Sequence, residues 1–205
     1  MKRHLRLFIV LVMLFVCIAG ASASFGFRPY VSGWYGVNLC HPTAGYLEKY
    51  PGDESVRTPF FRTSSAFSMD AQLLEGVFSV GRKSGISFGF GCSYVNVSQS
   101  KAWGRSMLKP YTGLGFSFDI AYHFSKHFEL GLKYRWLFCA FTGSSARFIA
   151  HDFELAPAYT VVSPWALDIA VTLPVTVSLK VDAVSLRAGV GVLIAFDSRR
   201  TGGKR

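Results

Sequence analysis

The stretch Tyr111-Thr112-Gly113-Leu114-Gly115-Phe116-Ser117-Phe118-Asp119-Ile120-Ala121-Tyr122-His123-Phe124, then Ser125-Lys126-His127, then Phe128-Glu129-Leu130-Gly131-Leu132-Lys133-Tyr134-Arg135-Trp136-Leu137-Phe138, decides the fold. Even positions from Leu114 to Phe124 are apolar or aromatic, and odd ones are small or polar. After the three-residue break the same apolar row resumes at Phe128, Leu130, Leu132, Tyr134, Trp136 and Phe138. A period of two means extended strands with two unlike faces, and a short polar break between them means an antiparallel hairpin. Pairing Phe124 with Phe128 sets His123 opposite Glu129 and Asp119 opposite Lys133, two opposite-charge pairs on one face.

Alternation alone does not say which face is inside, because a soluble lipocalin-like barrel has the same period with apolar residues in its lumen. Volume decides. About eight strands enclose an interior only just filled by side chains. An aromatic row in every strand is too bulky for that space, whereas glycine, alanine, serine and paired charges fit. Phe, Leu, Ile, Tyr and Trp therefore face outward, into lipid.

The rest of the chain agrees with an exported barrel. Lys2, Arg3 and Arg6 precede an apolar run from Leu7 to about Ala19 and a small-residue site at Ala21, Ser22, Ala23. That is the build of a secretory signal peptide over residues 1–23, too short an apolar run to span a bilayer. Val16 is too large for the position before a lipidated cysteine, which disfavours lipidation at Cys17. The formal charge of +10 overstates the mature strands, because the signal removes three cations and Arg199, Arg200, Lys204 and Arg205 cluster in a basic tail assigned to residues 197–205. With no aromatic and basic interleaving on one face, the charge does not indicate nucleic acid. Cys40, Cys92 and Cys139 form an odd set without scaffold spacing.

Alternation gives about eight strands over residues 24–196. They run from Phe25 to Leu39, Ala66 to Ser79, Gly85 to Ser98, Tyr111 to Phe124, Phe128 to about Cys139, His151 to Val162, Leu167 to Leu179 and Val184 to Phe196. Tight turns near 81–84, 125–127 and 163–165 alternate with longer connections, the longest between Cys40 and Ser65, as in a barrel with short periplasmic turns and external loops. Pro157 and Pro174 fall mid-strand and predict bulges or shifted boundaries. Glu75 breaks an apolar row, which places it near the membrane rim.

With its exported N-terminus, its strand count and a final row Val184, Leu186, Ala188, Val190, Val192, Ile194, Phe196, the chain resembles the small outer-membrane barrels of the OmpX, OmpW and OmpA transmembrane-domain type. The resemblance implies a closed antiparallel up-and-down transmembrane β-barrel, outer-membrane lipid as its surroundings, and an assembly signal at Val192, Ile194 and Phe196 read by the barrel-insertion machinery. It also implies a structural or surface-interaction role, with external loops that meet ligands or a host.

The lumen row supplies the candidate site: Asp119, His123, Glu129, Lys133, Arg135, Glu154, Asp168 and Arg187. One reading makes these a gated ion or proton path. The other makes them a polar core whose charges pair to offset desolvation, and the narrow lumen favours it. His123 and Ser125 match the His-x-Ser spacing of the outer-membrane lipid A deacylases, but the predicted turn separates Ser125 from the lumen, so no enzyme is expected. Cys40-His41 lacks a second pair at ligand spacing, so no metal or other cofactor is expected. The expected function is surface interaction through residues 40–65, with narrow transport of small solutes or small hydrophobic molecules as the alternative.

Overall fold

The computed structural model describes residues 25–42, 62–80, 84–98, 100–102, 105–108, 110–143, 145–180 and 183–198. The described strands are β1 (Phe25–Phe27), β2 (Tyr30–Pro42), β3 (Arg62–Val80), β4 (Ser84–Val97), β5 (Ser100–Ala102), β6 (Arg105–Leu108), β7 (Tyr111–His123), β8 (Phe128–Phe141), β9 (Arg147–Val162), β10 (Leu167–Thr172), β11 (Val175–Leu179) and β12 (Ala183–Phe196). The expected signal peptide, residues 43–61 of the predicted long loop, and residues 199–205 of the tail lie outside the described residues.

The sheet is antiparallel and closes on itself. From β2 the neighbours run through β3, β4, β7, β8 and β9 to β10 with β11, then β12, which pairs with β2 again. Because β10 and β11 are two halves of one wall, each pairing with both β9 and β12, the ring has eight staves. Closure leaves no unpaired edge between staves, which is what a β-structure needs in a solvent that offers no hydrogen bonds.

The register is the one the charge pairs imply: Asp119 lies opposite Lys133 and His123 opposite Glu129. Phe118 is 50% exposed and Leu132 57%, while neighbouring Ser117 and Arg135 are fully buried. The apolar row runs around the outside through Phe153 and Leu155 on β9, Val175 and Val177 on β11, and Val190 and Val192 on β12. So large a continuous apolar surface is unstable in water, and it matches the lipid-facing band of a membrane barrel.

Several boundaries differ from the sequence reading. The first predicted strand is interrupted at Arg28-Pro29, since Pro29 has no amide to donate. Strand β3 begins at Arg62 and β9 at Arg147, each four residues earlier than predicted, and the connection read as a loop over 99–110 contains the β5–β6 hairpin. Strand β9 passes through Pro157 unbroken, with the Pro157 carbonyl accepting from Leu173 N at 3.0 Å. The nearby register shift falls instead between Ile169 and Ala170. At Pro174 the stave does break, separating β10 from β11, and Gly189 N keeps the wall joined by donating to Pro174 O at 3.1 Å.

Glu75 is the clearest correction. It sits not at the lipid rim but fully buried in the lumen. The register against β4 shifts between Gln72 and Leu74, so one extra residue enters β3 and both Leu73 and Leu74 point outward. The bulge inverts the alternation for the rest of the strand, turning Glu75 and Val77 inward. The tail boundary shifts as well. Asp197 is buried and its amide donates to Ala166 O at 2.7 Å, while Ser198 Oγ accepts from Phe27 N at 2.8 Å, so the first two residues assigned to the tail belong to the closed end of the barrel.

Among the described residues three large aromatics are buried in the interior, Tyr30, Trp34 and Tyr111. Trp34 fits because β12 presents glycine beside it. A Cβ on Gly189 would stand 2.7 Å from Trp34 Cε3 and 2.6 Å from the Tyr35 carbonyl oxygen. Gly189→Ala is expected to displace the indole and cost about 1–3 kcal/mol by overpacking, read as a lower denaturant midpoint; an unchanged midpoint would show that the indole is loosely held.

Candidate functional site

The lumen is layered along the barrel axis. One end carries the tight turns and both described termini; the other carries the longer connections. At the turn end Arg28 reaches inward from the N-terminal stave. Its Nη2 donates to Glu129 Oε2 at 2.7 Å and its Nη1 to Glu75 Oε1 at 3.4 Å. His123 Nδ1 stands 3.0 Å from the same Glu129 oxygen, and its Nε2 is 3.1 Å from Ser87 Oγ. Asp168 accepts from Ser163 Oγ at 2.6 Å in the turn that feeds β10.

The middle layer is a two-carboxylate, two-cation lattice. Asp70 receives Arg135 Nε and Nη2, each at 2.8 Å, as a two-pronged fork, and Lys133 Nζ at 2.7 Å. Ser32 and Ser93 hydroxyls also donate to it. Glu154 receives Arg135 Nη2 at 2.7 Å, Trp34 Nε1 at 3.0 Å and the Thr176 hydroxyl at 3.0 Å, and Lys133 Nζ stands 3.7 Å away. Asp119 accepts from the Tyr30 hydroxyl at 3.2 Å. Lys133 therefore leaves its direct partner across the β7–β8 ladder and reaches over the lumen to Asp70. Opposite positions in a ladder fix where two side chains start, not where a four-carbon stem ends.

Toward the loop end the filling turns apolar. Trp34, Val95, Val97, Tyr111, Leu137 and Cys139 form one buried cluster. Beside it Arg187 pairs with Asp152, both fully buried. Between the turn-end and middle layers lies a cavity of about 30 Å³ bordered by Arg28, Tyr30, Asp119, Glu129, Lys133 and Glu154. It has room for about one or two water molecules.

All eight predicted lumen residues, Asp119, His123, Glu129, Lys133, Arg135, Glu154, Asp168 and Arg187, are buried. Among the described residues the sequence reading missed five further buried charged groups: Arg28, Asp70, Glu75, Asp152 and, at the closed end, Asp197. Arg28, Asp70 and Asp152 occupy regular inward positions, and counting every inward charge of each stave, rather than those of the best-patterned hairpin, finds them. Glu75 has no such signal, because the bulge reverses its face.

His123 and Ser125 are not brought together. His123 points into the lumen, while Ser125 Oγ accepts from His127 N at 3.2 Å and Phe128 N at 3.1 Å, closing its own turn. Cys40 and Cys139 are buried free thiols, and Cys92 is a free thiol on the outer face. Among the described residues no group of three metal-ligating side chains converges. Val192, Ile194 and Phe196 lie on the outer face of β12, each close to half exposed.

No family model and no curated protein matches the chain. Among solved structures it is similar to Ail, the attachment invasion locus protein of Yersinia pestis, at 8% identity and a TM-score of 0.41, covering 82% of this chain and 98% of that one. It is also similar to the outer membrane protein OprG from Pseudomonas aeruginosa, at 10% identity and a TM-score of 0.35, covering 82% and 96%. The barrel assignment here rests on the strand register and the burial pattern.

Proposed function

We propose that the protein is an integral outer-membrane β-barrel that works from its surface, with the lumen as a packed polar core and the loop end, above all the segment 43–61 between β2 and β3, as the contact surface for a ligand or host. The observation that carries this reading is the filling of the lumen. Arg135 and Leu137 are fully buried and Trp34 nearly so, Arg135 bridges Asp70 and Glu154, and Trp34 donates to Glu154. A conducting pore of this width has no use for a buried indole donating to a buried carboxylate.

Export follows from the signal peptide over residues 1–23, and membrane insertion from recognition of Val192, Ile194 and Phe196 by the insertion machinery. Bilayer lipid is the partner of the outward apolar rows. The chain needs no cofactor and catalyses no reaction in this account. Transport of small solutes is the second reading, favoured only by the small cavity near Asp119 and Lys133.

Planar-bilayer recordings separate the two. The purified barrel is expected to give no stable unitary conductance. A steady conductance that changes in Lys133→Ala would overturn the surface reading in favour of transport. In the matching experiment, cells displaying the protein are compared with cells whose copy is trimmed within 43–61 for adherence to immobilised host-matrix surfaces. Trimming should reduce adherence, and Lys133→Ala should leave it unchanged.

A further inference from the structure

Among the described strand side chains, basic groups face outward at two positions, Arg147 and His151, both on β9. Lys133, Arg135, Arg187 and His123 all turn into the lumen. The two outward groups stand four residues apart on one face, with exposed Ile149 between them and exposed Phe153 next below. The Tyr134 hydroxyl of β8 lies 2.8 Å from His151 Nδ1, and the two rings stack with their centres 6.1 Å apart.

An ionisable side chain on the lipid face of a membrane protein is costly and marks a functional position by default. The local shape of the wall shows where its partner comes from. Strand β11 ends at Leu179, directly opposite His151, whereas β9 runs on four residues to Arg147. Four residues of tilted strand rise about 10 Å along the barrel axis. The wall is therefore stepped, low at β11 and high at β9, with both basic groups on the outer face of the tall side. Tyr134 engages His151 Nδ1, and among the described residues nothing bonds Nε2.

These surroundings select the occupant. A soluble anion gains nothing beside the outward Phe153, Val177 and Leu179, and an uncharged lipid leaves the Arg147 guanidinium without a counter-charge. An amphiphile with a negative headgroup satisfies both, and a guanidinium grips phosphate with paired N–H donors. We propose that the step between β9 and β11 binds the headgroup of an anionic, phosphate-bearing lipid of the external leaflet. Arg147 holds the phosphate, His151 donates to the same headgroup from Nε2 while Tyr134 donates to its Nδ1, and the acyl chains lie on Leu179, Val177 and Phe153. Trp136, directly opposite His151 on β8, flanks the site as aromatic side chains do at the membrane interface. The site rests on the outer-membrane reading above and goes beyond it by assigning a headgroup chemistry to one place on the wall.

The test uses the full mature barrel carrying Trp103→Phe and Trp165→Phe, reconstituted in phosphatidylcholine vesicles, so that Trp136 reports on the site and Trp34 in the lumen gives a constant background. A small, equal fraction of the lipid is brominated on its acyl chains and is either phosphatidylglycerol or phosphatidylcholine. Brominated phosphatidylglycerol is expected to quench more strongly, with a preference of roughly fivefold over phosphatidylcholine, one cation's attraction to an anionic lipid. Arg147→Gln and His151→Phe, which leave the lumen untouched, should each reduce that preference while heat-dependent gel mobility stays that of the unsubstituted barrel. Equal quenching by the two lipids, or a preference unchanged in both variants, would overturn the site and leave the membrane barrel standing. Quenching by neither lipid would overturn both.

Discussion

Arg135→Ala is expected to lower the stability of the barrel by about 3–5 kcal/mol, the cost of breaking a buried ion pair from one side. The guanidinium is fully buried and bridges Asp70 and Glu154. Removing it leaves two carboxylates in a closed lumen with Lys133 as their shared cation, 2.7 Å from one and 3.7 Å from the other. Arg135→Lys should fall between alanine and wild type, because an ammonium supplies a point charge but not the fork that grips Asp70 at two positions. Reversible denaturant unfolding in lipid vesicles measures both. A loss below about 1 kcal/mol would mean the carboxylates are solvated, and the lumen would then have to be read as a water path rather than a core.

The second large effect lies on the opposite face. Leu132 is mid-band on β8, opposite Ile120 on β7 and Leu155 on β9, and 57% exposed. If that exposure is to hydrocarbon, Leu132→Arg costs about 2–4 kcal/mol. If it were to water, a surface substitution at such a site would change stability by no more than about 0.5 kcal/mol. The same vesicle unfolding assay, run beside Arg135→Ala, distinguishes the two. The pair of variants reports independently on the two faces of one strand, since the residues point to opposite sides of the wall.

How much of this could be read from the chain varies from place to place, for physical reasons. The hairpin from Tyr111 to Phe138 was fully legible, because a single unbroken alternation carries face, register and turn together, and its charge pairs check the register. The β3 stave was legible only to Gln72. Beyond it a bulge reverses the faces, and a sequence such as Gln72-Leu73-Leu74-Glu75 does not announce which leucine is the extra residue. Proline was a true signal at Pro174 and a false one at Pro157. Pro157 lies outward in a continuous strand, whereas Pro174 breaks one, and the difference depends on which neighbouring carbonyl and amide stand nearby rather than on the residue itself.

The lumen network was half legible. Inward position follows from alternation, so the eight charged residues named from the sequence are all buried. Partnership does not follow, because long side chains cross a lumen only a few side chains wide. Lys133 passes over its ladder neighbour Asp119 to reach Asp70 on β3, and Arg135 joins β3 to β9. Such contacts join staves far apart in sequence, and they appear only once the ring is closed.

The central claim is that the aromatic rows face lipid and the charges face inward. Tryptophan fluorescence in vesicles containing brominated lipid tests it most directly, using one variant that keeps only Trp136 and another that keeps only Trp34, the other tryptophans replaced by phenylalanine. Trp136 is 42% exposed on the outer face and Trp34 is 3% exposed in the lumen. Strong quenching of Trp136 by bromine on the acyl chains and little quenching of Trp34 are expected. Quenching of neither, with a folded β spectrum in plain buffer, would contradict it and describe a soluble barrel instead.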